Sequence, residues 1–231
     1  IKVQAQLLAI GDFSYVYVAT KNIDSAGFSG AKNKAETYRD HFETNIYPMN
    51  TQYFGHPDGY LGDIDGDSRV TIFLISLDGG VAGYFDPTHE YARTSSNPYS
   101  NEREMVHVNF DYLTGNQRFS VLAHEFQHLI HFNLDPYELW FVDEGCAELA
   151  TYVTGYLSDS NLNSFSNNFK YNSEDSLLYW NYYSEGGYDV RIDYGGAYFF
   201  MFYIAEKYGA ETVKDIVSNT LVGAEGIEES F

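Results

Sequence analysis

His124 and His128 stand four residues apart in a stretch whose apolar residues, Phe119, Leu122, Phe126 and Leu129, recur at the three- and four-residue steps of a helix. At about 100° per residue, positions i and i+4 lie one above the other, so two imidazoles can converge on one ion. The apolar stripe then turns to the opposite side. A chain built this way needs a core on one side of the helix and a cleft on the other. The run His124-Glu125-Phe126-Gln127-His128 has the form HExxH, whose internal glutamate is suited to act as general base. Incidental histidines on a polar helix face are the bland alternative, and the matched apolar stripe weighs against it.

Catalytic zinc takes three protein ligands and keeps one position for water, so a third ligand must come from another segment. The run Trp140 to Glu148 opens a second helix, expected over Val142 to Thr154, with Glu144 in its first turn and Glu148 four residues on. Glu144 is assigned as the ligand. Glu148 is expected to accept the outer N–H of His124 and fix its tautomer. Asp143 is expected mainly as a helix cap, with orientation of the other histidine as the second role. Cys146 should point away as a small buried apolar residue. His131 lies a turn further along the axis than His128, which makes it a cleft or structural residue.

HExxH followed by an Asp-Glu-Gly-x-x-Glu helix resembles the gluzincins, the zincins whose third ligand is a glutamate. The wider text is similar to the hyicolysin-type neutral metallopeptidases. It shares Gly62-Asp63-Ile64-Asp65-Gly66-Asp67, Gly83-Tyr84-Phe85, Ser100 to Met105, His124 to Phe132 and Trp140 to Gly145 with that pattern. The resemblance implies an α+β, thermolysin-like zincin made of one catalytic domain. Residues 1–133 would form a sheet-containing N-terminal lobe including the active-site helix, and 134–231 a mostly helical C-terminal lobe. It also implies a Tyr from the later lobe as oxyanion stabiliser; Tyr194 is the candidate and Tyr198 the substitute. In that chemistry zinc acidifies water and Glu125 moves its proton to the departing amine.

Elsewhere the alternation in Val3 to Ala9 and Tyr15 to Ala19 around Gly11-Asp12 predicts a hairpin, and Val70 to Leu77 and Met105 to Phe110 predict strands. Ala35, Tyr38, Phe42 and Ile46 predict a helix from Lys32 to Tyr47, stopped by Pro48. The Ser-, Asn- and Tyr-rich stretch from Gly155 to Asp193 reads as surface loop with at most a short helix. A helix buried on most faces is expected from about Gly195 to Tyr208, with Gly209 as its stop.

The 33 acidic against 13 basic residues give a net charge of −20, which repels nucleic acid and anionic membrane surfaces. No apolar run is long enough to cross a bilayer. With no leader at Ile1-Lys2-Val3-Gln4 and a single cysteine, location is argued from the acidic surface, which suits a secreted, extracellular monomer. Asp63, Asp65 and Asp67 alternate around Gly66 like the first half of a calcium loop, and are candidate calcium ligands. The expectation is therefore a secreted zinc endopeptidase acting on protein or peptide substrates. A non-enzymatic extracellular binding domain and a zinc hydrolase of non-peptide amides or esters are the alternatives.

Overall fold

The computed structural model describes residues 2–58, 64–111, 113–174, 176–180 and 191–231. The chain opens with the antiparallel hairpin of β1 (Ala5–Ile10) and β2 (Ser14–Ala19), in which Ala5 faces Ala19 and Ile10 faces Tyr15. The Glu43 carboxylate holds the connecting turn, accepting from the backbone N–H groups of Asp12 and Phe13 at 3.1 Å and from Ser14 Oγ at 2.6 Å. Strand β2 runs parallel to β3 (Val70–Ile75), and β3 runs parallel to β5 (Met105–Asn109). The short β4 (Gly83–Phe85) pairs antiparallel with β5, so the sheet order is β1-β2-β3-β5-β4 and β4 is an edge.

Parallel neighbours require a crossover. Helices α1 (Thr20–Ala26), α2 (Phe28–His41) and α3 (Tyr47–Phe54) provide it between β2 and β3. Alternate residues of the sheet then face opposite ways. Val16, Val18, Val70, Ile72, Leu74, Val106 and Val108 enter the main core, while Phe73, Met105 and Ala19 form a smaller cluster on the other face.

Pro48 does not end the first long helix. A π turn over Phe42–Ile46 intervenes, with the Tyr47 N–H bonded to the Phe42 carbonyl, and Pro48 sits in the first turn of α3. The extra residue admits the proline ring where a regular helix would clash with it.

Helix α4 (Gln117–Leu134) lies across the sheet with Phe119, Leu122, Phe126 and Leu129 all buried, and is followed by α5 (Trp140–Val153). Helix α6 (Asp159–Tyr171), of 13 residues, takes up a third of the stretch expected as loop and is longer than the short helix expected there. Its signals are present: Ser158 caps Asn161 N–H at 3.2 Å, and Leu162, Phe165 and Phe169 repeat at helical spacing among polar neighbours. Helix α7 (Arg191–Tyr208) starts four residues before the expected Gly195, and its Phe199, Phe200 and Phe202 are only half-buried. Helices α8 (Ala210–Ser218) and α9 (Ala224–Glu229) close the chain. The molecule is thus α+β, a five-stranded sheet joined to a mostly helical second part, consistent with a thermolysin-like zincin.

His107 in β5 is 4% exposed and stacks on Tyr84 with ring centroids 4.2 Å apart, with Phe73 and His89 beside it. Burial, and then the neighbouring His89, push its pKa down to about 4. The unfolded chain takes up a proton near pH 6.5 that the native chain refuses until about pH 4. Stability is therefore complete above 6.5 and is lost as pH falls towards 4, by about 3 kcal/mol. Denaturant unfolding of wild type and His107→Phe across pH 4–7 should show this slope flattened in the variant; equal slopes would exclude His107 as its source.

Candidate metal centre

The cleft lies where α4, α5, the edge strand β4 and the start of α7 meet. It has a volume of about 410 Å³ and is lined by Gly83, Tyr84, Phe85, His124, Glu125, His128, Trp140, Asp143, Glu144 and Tyr194 among others. A larger apolar cavity of about 630 Å³ beside Phe199 and Trp180 gathers no histidine and no converging carboxylates. The chemistry is in the smaller one.

Because α4 turns its apolar side to the core, His124 and His128 face the cleft. Their Nε2 atoms are 3.1 Å apart, and Glu144 Oε2 stands 3.4 Å from the first and 3.5 Å from the second. One donor atom from each of the three lies within 4.8 Å of the others, a grouping that can hold a metal ion. Four-coordinate zinc with bonds of about 2.0–2.2 Å places its ligand atoms about 3.3–3.6 Å apart, so the spacing fits. A second observation agrees with this. Glu144 is 5% exposed, and its Oε2 is buried without a hydrogen-bond partner. An orphaned carboxylate oxygen turned on two imidazole nitrogens is a donor set that a cation would complete.

The outer nitrogens are tied back. His128 Nδ1 donates to Asp143 Oδ1 at 2.9 Å, and His131 Nδ1 reaches the same oxygen at 3.2 Å. Asp143 is therefore not a helix cap: α5 begins at Trp140, its N-cap is Leu139, and the Asp143 carboxylate is turned across to α4. Glu148 Oε1 stands 3.6 Å from His124 Nδ1, an ion-pair rather than a hydrogen-bond distance. With their Nδ1 atoms facing carboxylates, both imidazoles present Nε2 to the centre.

Burial works against charge throughout this group, and the opposite charges override it at several positions. Desolvation alone would raise Glu144, but His128 and His124 hold its carboxyl down to about 2. The same contest leaves Asp143 well below the ordinary carboxylate range, against His128 and His131, and lifts His128 well above the ordinary imidazole value. Glu125 moves the other way: burial raises it, and the two histidines only moderate the effect. Protons and a metal ion compete here for the same lone pairs.

Tyr194 lies in the first turn of α7, and its hydroxyl donates to Glu144 Oε1 at 3.3 Å. Tyr198 does not reach the cleft; it is 1% exposed among Phe165, Phe199 and Phe202. Cys146 is fully buried. The acidic loop is not gathered around a centre among the described residues. Asp67 engages Arg69 at 3.0 Å and Tyr15 Oη at 2.7 Å, and Asp65 lies 3.8 Å from Arg103. Asp63 falls outside the described residues.

Two glycines set distances that the sequence alone did not flag. A Cβ on Gly83 would meet Val121 Cγ1 at 2.6 Å and Glu125 Cγ at 3.2 Å, so β4 approaches the cleft side of α4 only because residue 83 has no side chain. A Cβ on Gly145 would meet Met201 Cγ at 2.7 Å and the Ala197 carbonyl at 2.8 Å. That contact lets α5 and α7 pack closely and brings Tyr194 to Glu144.

No protein-family model matches the chain. The neutral metalloprotease ShpI of Staphylococcus hyicus is 24% identical over 226 residues, which cover 86% of this chain and 48% of that protein. The chain thus spans about half the length of this relative. The similarity and the grouping of His124, His128 and Glu144 together support a zinc metallopeptidase in general terms.

Gly145→Ala should lower the free energy of unfolding by about 1–3 kcal/mol in urea, through overpacking of α5 on α7. An unchanged or higher midpoint would mean that the helices separate at no cost.

Proposed function

We propose that the chain is the catalytic domain of a secreted, gluzincin-type zinc endopeptidase, similar to the hyicolysin-type enzymes, in which His124, His128 and Glu144 hold the metal. One observation carries the proposal: three acceptor atoms from two helices converge at 3.1, 3.4 and 3.5 Å beside a buried glutamate that faces the same cleft. Zinc bound there would supply a Lewis acid that brings the pKa of water towards about 7 and polarises the scissile carbonyl.

The chain's own groups do the rest. Glu125, whose proton affinity is raised by burial, takes a proton from the attacking water and passes it to the amine that leaves. The Tyr194 hydroxyl, at the rim of the same cleft, donates to the oxygen that becomes negative as the carbonyl is attacked. Asp143 and Glu148 hold the two imidazoles with Nε2 inward. A peptide in extended form fits the open edge of β4, whose backbone can pair with it as an added strand. Secretion is part of the proposal on the strength of the −20 charge, and among the described residues no helix is long and apolar enough to cross a membrane. The two lobes would divide after residue 133, in the last turn of α4.

Casein digestion with and without a zinc chelator tests the whole reading, and a chelator-insensitive or absent activity in zinc-loaded protein would defeat it. Glu125→Gln should keep one equivalent of zinc and lose turnover by at least about 10²–10⁴-fold; wild-type turnover in that variant would remove Glu125 as the base. Glu144→Ala should lose the zinc, read by metal analysis after gel filtration, and full occupancy would transfer the ligand role elsewhere. Tyr194→Phe should reduce kcat by about 10²–10³-fold with little change in KM, whereas an unchanged kcat would leave Tyr194 a structural residue.

A further inference from the structure

The cleft carries more acid than a zinc centre and its base would use. Glu125, Asp135, Glu138, Asp143 and Glu144 all line it, and among its described lining residues there is no Lys or Arg. Asp143 and Glu144 are turned on His128 and His124. Asp135 and Glu138 belong to neither histidine. Asp135 caps the C-terminal end of α4, its N–H bonded to the His131 carbonyl at 2.7 Å. It follows His128 by seven residues, or two turns, and so stands about 10 Å along the axis on nearly the same side. Glu138 comes from the link between α4 and α5, where its Oε1 accepts from the Leu139 N–H and, at 2.7 Å, from the Gly223 N–H.

Each of these two acids has one oxygen engaged and one left over. Asp135 is 4% exposed; its Oδ1 accepts from the Tyr137 N–H at 3.1 Å, and its Oδ2 is buried without a hydrogen-bond partner. Glu138 Oε2 is buried in the same condition. Among the described residues neither carboxylate forms an ion pair. His131, the base near Glu138, turns its Nδ1 to Asp143 at 3.2 Å. Burial, and among the neighbouring charges Asp135, raise the Glu138 carboxyl against the two N–H groups that hold it down. Desolvated oxygens of this kind are complemented by a cation that brings its own N–H donors. A bare metal ion is a poor match: His124, His128 and Glu144 are the one grouping of three possible ligands among the described residues, and it includes neither acid. The surrounding walls point instead to an organic cation. Phe85, Phe132 and Pro136 line the cleft with Trp140, which is 54% exposed. Apolar and aromatic walls beside carboxylates suit a guanidinium or ammonium group carried on a long alkyl stem.

We infer that Asp135 and Glu138 form a specificity subsite for a basic side chain of the substrate, Arg or Lys, whose stem lies against Phe132 and Trp140. The inference rests on the peptidase reading and gives it a substrate class: peptides cut at a fixed distance from a basic residue. An extended peptide advances about 3.3 Å per residue. The 10 Å or so from His128 to Asp135 is therefore spanned by a long basic side chain on a residue within one or two of the scissile bond.

Casein digested by zinc-loaded protein, with the products sequenced by mass spectrometry, should show Arg and Lys enriched at one position relative to the cut. A pair of peptides with Arg or uncharged citrulline at that position then gives a ratio of kcat/KM values. The ratio should be about 10-fold or more in favour of Arg in wild type and fall towards one in Asp135→Asn and in Glu138→Gln. A second readout needs no turnover: by calorimetry, zinc-loaded Glu125→Gln protein should bind a peptide with a single Arg about 10-fold or more tightly than its citrulline twin, and adding Asp135→Asn should remove the difference. Should Asp135→Asn fail to fold, Glu138→Gln and the wild-type preference carry the test. Casein cleavage without a basic preference overturns the subsite and leaves the peptidase reading intact. A ratio that survives both substitutions overturns it equally. Absence of cleavage with the Arg peptide still preferred in binding supports the subsite and defeats the peptidase reading; absence of both defeats the two together.

Discussion

Everything at the cleft depends on the meeting of α4 with α5. Each helix alone presents like charges or lone pairs one turn apart; packed together, they set two imidazoles from the first against three carboxylates from the second. The apolar side of α4 is what makes this arrangement possible. With Phe126 and Leu122 fully buried against the sheet, the helix cannot roll, and its polar face has a fixed aim.

The molecule carries far more acid than base, yet its buried acids are not scattered. In the cleft, Asp143, Glu144 and Glu148 are answered by His124, His128 and His131. In the hairpin turn, the partly exposed Glu43 is answered by two backbone N–H groups and a hydroxyl. Exposed acids, by comparison, cost little and keep the surface solvated.

Much of the site could be read from spacing, because the helical period converts directly into shared faces. The opposition of His124 and His128 to the stripe from Phe119 to Leu129, the two strands Val70 and Met105 begin, and the hairpin all follow from period and composition. The features that could not be read depend on contacts between distant segments. Whether Asp143 caps its helix or reaches His128 is decided by where α4 lies, and the separation of Tyr194 from Tyr198 is decided by the rotation of α7. Glu90 and Glu104 are ordinary surface residues to any local reading, and only tertiary structure buries them. Helix α6 was obscured by its Asn and Ser content, which favours turns when neighbouring packing is unknown.

The π turn at Phe42–Ile46 adds one residue to an otherwise continuous rod, and Glu43 sits within it. A regular coil through this point would swing that side chain by about 100° relative to α3, away from the β1–β2 turn it now grips. The surplus residue thus works as a phase shifter between two halves of one helix. The first half is indexed to the hairpin, the second to α4, and shortening the segment by one position would leave only one of those alignments intact.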